Sequence, residues 1–243
     1  MPPKSAILLA VAVFLLTVLA HLPARVLPWL LPREVHCQSP AGTLWRGVCG
    51  ELSSGELVLS GVRWSLHPLS LLRAHLELHV QSEDARAAGQ AELTLYPDRQ
   101  LEVRDLQASL PLQGGLTPFP AAWSGTIGLA VAQARVRSGH LVALQGVITA
   151  AHLRSDHPAQ ELGSLALEFP PANAGAPMIG TLHDLDGPLS LQGRLQLSAA
   201  GSYELDGTVA MRDASNAGLQ QMLQLLGPAD AQGRYAFSVA GTL

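Results

Sequence analysis

Leu189-Ser190-Leu191-Gln192-Gly193-Arg194-Leu195-Gln196-Leu197, followed by Tyr203-Glu204-Leu205-Asp206-Gly207-Thr208-Val209-Ala210-Met211, decides how the body of this chain is read. Apolar side chains fall on alternate positions with polar or small residues between them, the period of a strand with one buried and one wetted face. The same alternation runs through Leu57 and Leu59, then Val62, Trp64 and Leu66, and then Leu76, Leu78 and Val80. It continues through Ala91, Leu93 and Leu95, Leu101 and Val103, Ala108, Leu110 and Leu112, and Ile127, Leu129 and Val131. Leu165, Leu167 and Phe169 follow, and Tyr235, Phe237 and Val239 close the series. About a dozen short strands separated by turn signals predict a mainly β fold with a largely antiparallel sheet.

Glycines punctuate the pattern. Gly180, Gly193, Gly207, Gly233 and Gly241 each stand before an apolar alternation, where they predict turns, bulges or bends. Asp186-Gly187 and Asp206-Gly207 are hairpin-type dipeptides. Pro/Gly-rich breaks at 111–124 and 170–177 are the best loops or joints. Helix is expected in two places. His67-Pro68-Leu69-Ser70-Leu71-Leu72 has room for about one turn. From Ser215 to Leu226, Leu219, Met222, Leu223 and Leu226 form an i, i+3, i+4, i+7 stripe, with Ser215 as N-cap and Gly227-Pro228 as the stop.

The amino-terminal end is different. From Ser5 to Ala24 there is no Asp, Glu, Lys or Arg. A helix from Ser5 to Leu22 is about 27 Å long, just enough to cross the hydrocarbon core, and Pro23 ends it. Lys4 and the small residues around Val18-Leu19-Ala20 fit a cleaved signal peptide as well. Either reading sends the residues beyond Pro23 out of the cytoplasm. Cys37 and Cys49, the chain's two cysteines, suit an oxidising compartment. A disulfide between them would close a turn-rich loop and contribute about 3 kcal/mol. A redox or metal-binding pair expects C-x-x-C spacing, which they lack. Reduced thiols remain the alternative if the chain stays inside the cell.

Composition excludes several functions. The 243 residues carry 15 Lys+Arg against 19 Asp+Glu, a net charge of −4, with 5% aromatics. Nucleic-acid binding needs a basic footprint, and that class is set aside. Charged residues are 14% of the chain, against roughly 25% in an average soluble domain, the opposite of a disordered composition. His75, Glu77 and His79 share the outward face of an expected strand, where a solvated polar face is favoured over a metal site. Asp184-Leu185-Asp186-Gly187 starts like a calcium loop but lacks its distal ligands. His152, Asp156 and His157, beside Pro158, read as loop. No nucleophile elbow, Walker loop or dinucleotide fingerprint is present. No catalytic, metal or cofactor residue is assigned, and the chain is expected not to be an enzyme.

Four tracts in order carry a family resemblance: Leu22-Pro23-Ala24-Arg25; Gly42-Thr43-Leu44-Trp45-Arg46-Gly47; Trp64-x-Leu66-x-Pro68-x-x-Leu71-Leu72; and Leu226-Gly227-Pro228-x-Asp230-Ala231-Gln232-Gly233-Arg234-Tyr235. Over nearly its whole length the chain resembles the type II secretion system protein N family, itself similar in fold to AsmA-like proteins. The resemblance implies a cytoplasmic stub at 1–4, an uncleaved inner-membrane anchor at 5–22, a connector at 23–36 and a periplasmic β domain at 37–243. It implies a curved antiparallel trough and an accessory, non-catalytic role in exporting folded proteins across the outer membrane. The implied neighbours are the platform proteins C, L and M and the secretin D. Gly42, Thr43, Leu44, Trp45, Gly47, Trp64, Pro68, Asp230 and Gly233 are the motif residues. The alternative is an AsmA-like module whose apolar groove holds lipid acyl chains.

Overall fold

The computed structural model describes residues 10–11, 13–14, 17–27 and 35–242, apart from 55–56, 85–86, 114–122, 158, 172–176, 199 and 214. Thirteen strands are described, and they fall into two compact units that divide between Thr94 and Leu95.

In the first unit, β1 (Val35–Gly42), β2 (Arg46–Ser54), β3 (Leu57–His67) and β4 (Leu76–Ser82) pair in sequence order, each antiparallel to the next. β5 (Ala88–Leu95) follows. Cys49, Val62 and Trp64 form a small core together with Ala24, which arrives from the amino-terminal side of the sheet and is 1% exposed. Cys37, Leu59, Leu66, Leu78 and Val80 pack around that core. The expected turn after His67 is a 3-10 helix, Pro68–Arg73, closed by Ala74 in the left-handed region at φ 57°.

The second unit contains β6 (Gln100–Gln113), β7 (Trp123–Arg137), β8 (His140–Asp156), β9 (Ala159–Phe169), β10 (Met178–Asp186), β11 (Leu189–Leu197), β12 (Ser202–Met211) and β13 (Tyr235–Thr242). Each is antiparallel to its sequence neighbour. The principal core gathers Leu112, Leu153, Leu162, Leu189, Val209 and Tyr235 beneath the helix α1 (Ala217–Gln224), which contributes Leu219 and Leu223. A second cluster holds Phe169, Met178 and Leu197.

Several expectations change. Runs read as separate short strands are continuous: 57–67, 100–113, 189–197 and 202–211 are one strand each. Asp186-Gly187 does lie in the turn between β10 and β11, with Gly187 at φ 101°. Asp206-Gly207 lies inside β12, where Gly207 pairs with Gly193 of β11, because the strand passes straight through the dipeptide. Gly180 and Gly241 are also within strands, and Gly233 precedes β13. The 17-residue β8 had no alternation to reveal it: its first nine residues after His140 are half-buried on both faces. His152 and Asp156 belong to that strand, not to a loop. Pro111 likewise lies in β6, opposite Thr126. The cap of α1 is Asn216, whose side-chain oxygen accepts from Leu219 N–H at 3.1 Å, so the helix starts two residues after Ser215. Its early end at Gln224 leaves Leu226 46% exposed instead of on the buried stripe.

Of the expected span at 5–22, residues 5–9, 12, 15 and 16 lie outside the described residues. Those described between 10 and 20 are helical and exposed. Among the described residues no helix is long and apolar enough to cross a membrane.

Leu219 is 1% exposed and Leu225 is 87% exposed, so two identical side chains differ only in their surroundings. Leu219→Ala is expected to cost about 2–5 kcal/mol in urea unfolding, whereas Leu225→Ala should stay within about 0.5 kcal/mol of wild type.

Candidate functional site

Three of the four sequence tracts meet at one end of the first unit. Gly42 ends β1 at φ 98°, and a Cβ there would lie 2.6 Å from Arg46 O. The turn is closed by Thr43 N–H to Arg46 O (2.8 Å), with Thr43 Oγ1 accepting from Arg46 N–H (3.2 Å). Leu44 and Trp45 are the crossing point. Leu44 N–H donates to Leu22 O (2.8 Å), and Leu44 O accepts from Trp64 Nε1–H (3.0 Å). Trp45 Nε1–H donates to Leu19 O (2.8 Å), and Trp45 O accepts from Leu66 N–H (2.7 Å). Pro23 and Thr43 form an isolated antiparallel bridge. The end of the apolar segment is thereby stitched to the β1–β2 turn, which is stitched in turn to β3.

Gly47 permits this. It faces Trp64 across the β2–β3 ladder, and a Cβ on Gly47 would enter the space of the indole ring and come within 2.5 Å of Ala41 O. With hydrogen only, the ring lies over the neighbouring backbone and is 8% exposed while its N–H reaches Leu44. Pro68 opens the 3-10 turn, exposed. Sequence reasoning missed Ser70, which is 4% exposed: its hydroxyl donates to His67 O (2.6 Å) and accepts from Glu77 N–H (3.2 Å). A single serine among leucines gives no signal of that role. Cys37 and Cys49 are joined as a disulfide between β1 and β2, with Cα atoms 5.8 Å apart.

The fourth tract forms a turn of its own in the second unit. Asp230 Oδ1 accepts from the N–H groups of Gln232 and Arg234 (2.9 Å each), and Arg234 Nε–H donates to Oδ2 (2.8 Å). The backbone donation from Arg234 is the chief reason that this carboxyl sits below its ordinary value. Gly233 takes φ 75° and donates to Asp230 O (3.0 Å), turning the chain into β13.

Of the titratable groups weighed for chemistry, His75, Glu77 and Asp184 are engaged in structure. His75 Nε2 and Glu77 Oε1 are 2.8 Å apart, and the β3–β4 register puts Glu77 and His79 opposite His67 and Ser65 on the polar face. Asp184 Oδ1 accepts from Leu191 N–H (2.7 Å), and Oδ2 pairs with Arg212. Glu102, 3% exposed, was invisible in the sequence because all of its partners but Arg104 lie outside its own strand. It accepts from Arg104 (3.1 Å), from Gln133 on β7 and from the Tyr96 hydroxyl (3.1 Å), with Arg135 Nε at 3.7 Å. Burial alone would raise its pKa; the hydrogen bonds from Gln133 and Arg104 and the charge of Arg104 outweigh that and hold it below 4.5. Burial, then the hydrogen bond to Glu102, pushes the Tyr96 hydroxyl up. Among the described residues no group of three or more His, Cys, Asp or Glu could hold a metal ion.

Antiparallel β units whose strands pair in sequence order, with motif residues that lock a turn onto the preceding apolar segment, define the class as a mainly β protein of serially paired strands. The family model for type II secretion system protein N matches residues 33–238, and the chain belongs to that family. It is 27% identical over 252 residues to the type II secretion system protein N of Vibrio cholerae serotype O1 (strain ATCC 39315 / El Tor Inaba N16961), covering 97% of each chain. It is also 27% identical over 230 residues to the protein of the same name from Aeromonas hydrophila, covering 92% of this chain and 90% of that one. No solved structure matches.

Gly47→Val is expected to cost about 1–3 kcal/mol in urea unfolding, since neither the indole ring nor Ala41 O can yield freely. The Glu102 carboxylate is bound more tightly in the folded than in the unfolded chain, so its contribution is complete above about pH 4.5 and is lost as pH falls through the lower folded value. Glu102→Gln is therefore expected to lower stability at neutral pH and to flatten its decline below pH 4.5, as read from urea midpoints across pH.

Proposed function

We propose that this protein is an accessory subunit of the type II secretion machinery, held in the inner membrane by residues 5–22 with residues 37–243 in the periplasm. It works without catalysis, as a docking module for the platform proteins C, L and M and the secretin D. Membership of the family over residues 33–238 carries the reading. Two structural features support it. The Cys37–Cys49 disulfide suits an oxidising compartment. The strand order ends at β1 in the first unit and at β13 in the second, and each terminal strand leaves backbone donors and acceptors on one side for a partner strand. The acyl-groove alternative has less behind it. A concavity of about 430 Å³ in the second unit has an apolar wall of Ala130, Ala132, Val147, Phe169 and two prolines, but Gln145, Glu168 and Thr181 also line it, and a carboxylate disfavours an alkyl chain.

Deleting the gene is expected to reduce export of secreted enzymes, which would accumulate in the periplasm. A photo-crosslinking amino acid at the exposed Val239 of β13 should capture a platform subunit or the secretin. Full export together with no crosslink would overturn the docking role, and bound phospholipid in native mass spectra would favour the acyl alternative.

A further inference from the structure

We propose that the turn Pro68–Arg73 is a second membrane contact, a leucine tip that enters the phospholipid interface beside the anchor. The inference rests on reading residues 5–22 as an anchor and adds to it a site on the folded body.

The turn has its polarity reversed. Its serine is inside and its leucines are outside: Ser70 is 4% exposed, whereas Leu69, Leu71 and Leu72 are 75%, 48% and 85% exposed. This is a held conformation and not a loose loop. Ser70 Oγ ties His67 O to Glu77 N–H, Ala74 N–H caps the turn on Leu71 O (3.1 Å), and Ala74 adopts φ 57° to bring the chain back into β4. Three leucines held out together form the kind of apolar patch that marks a membrane or protein contact.

Position selects the membrane. The β2–β3 register pairs Arg46 with Ser65, so β2 begins and β3 finishes at the same end of the sheet. The turn therefore projects from the end where Trp45 Nε1–H binds Leu19 O and Leu44 N–H binds Leu22 O, the end to which the apolar segment is fastened. Arg25, Arg46 and Arg73 are exposed around that end, placed to meet lipid phosphates once the leucines are in. Glu77, at the same end, is paired with His75. An apolar tip with a basic surround beside a spanning helix matches an interface about 5–10 Å deep, with anionic headgroups above it.

The test uses the full chain in vesicles of phosphatidylethanolamine and phosphatidylglycerol that carry spin-labelled lipids. Leu72→Cys, Ser60→Cys and Phe14→Cys each receive a polarity-sensitive fluorophore, and a nonreducing gel confirms in each variant that Cys37 and Cys49 are still joined. Ser60 is exposed on β3, seven residues before His67 and about 23 Å along the strand. The expected result is a blue shift and loss of most of the Leu72 signal with a shallow acyl spin label, and no loss at Ser60. Phe14 should lose its signal to a deep label. Leu72 behaving like Ser60 while Phe14 is quenched would overturn the leucine tip and leave the anchor standing, as would a protein partner covering the turn. Leu72 quenched while Phe14 is not would overturn the anchor, and with it the tip as a second contact beside a span. If neither is quenched, both fall.

Discussion

A tryptophan ring can lie across a neighbouring strand only where that strand presents no side chain. Gly47 and Trp64 meet this condition opposite each other on β2 and β3, and much of the first unit follows from it. The buried ring gives a small sheet its largest piece of core, and its N–H is directed to Leu44 O. That contact helps hold the Gly42–Trp45 turn, which in turn receives Leu19 O and Leu22 O from the preceding segment. A change at Gly47 is thus felt along a chain of contacts that ends where the apolar segment joins the folded body. The second unit repeats the device. The Phe237 ring lies over Gly207, where a Cβ would be 2.5 Å from it, and the Tyr203 ring lies over Gly241, where a Cβ would be 2.7 Å from it. Both pairs face each other on β12 and β13. Aromatic rings over strand glycines shield exposed backbone and pin the register at once.

This explains why the glycines were legible as landmarks but misread as turns. In the sequence, Gly193 and Gly207 interrupt an apolar alternation, which suggests a strand start; in the fold they are mid-strand positions emptied for a neighbour. The information that distinguishes the two cases lies on the next strand, in residues such as Phe237, about thirty positions away from Gly207 by sequence but adjacent in the ladder. Period-two alternation found the strands with one wet face. It missed β8 because Leu141-Val142-Ala143-Leu144 and Val147-Ile148 run apolar without a polar residue between them, so no alternation shows. The helix stripe was readable from Leu219 and Leu223, but its cap was not, since Ser215 and Asn216 are both good N-caps and only the backbone geometry chooses between them.

The site was legible to a similar depth. The tract around Trp45 and the one around Trp64 could be singled out in sequence, and their ordered recurrence fits the family to which the chain belongs. Their union through Leu44, Leu22 and Leu19 was not readable, because it is made by backbone carbonyls that every residue possesses. Glu102 is the same lesson in charge. Its partners Tyr96, Gln133 and Arg135 acquire meaning only when β6 and β7 align, and once aligned they occupy the carboxylate so fully that it holds strands together.

A fold of this kind places its demands on ends and edges. Strand ladders satisfy the backbone within each unit, the aromatic-glycine contacts and α1 cover apolar surface, and the charged clusters are paired among themselves. Among the described residues, β1 and β13 are the edge strands, and the leucines of the Pro68–Arg73 turn are among the exposed apolar side chains. Open strand edges recognise other backbones, and apolar tips recognise lipid or other apolar surface. On the docking role proposed above, contacts of these kinds are what a subunit that holds neighbours in position needs, since such work is done by binding. The hydrogen bonds from Trp45 and Leu44 to the apolar segment then matter because they fix how the first unit leaves that segment, and a docking surface is useful only if its orientation to its support is set.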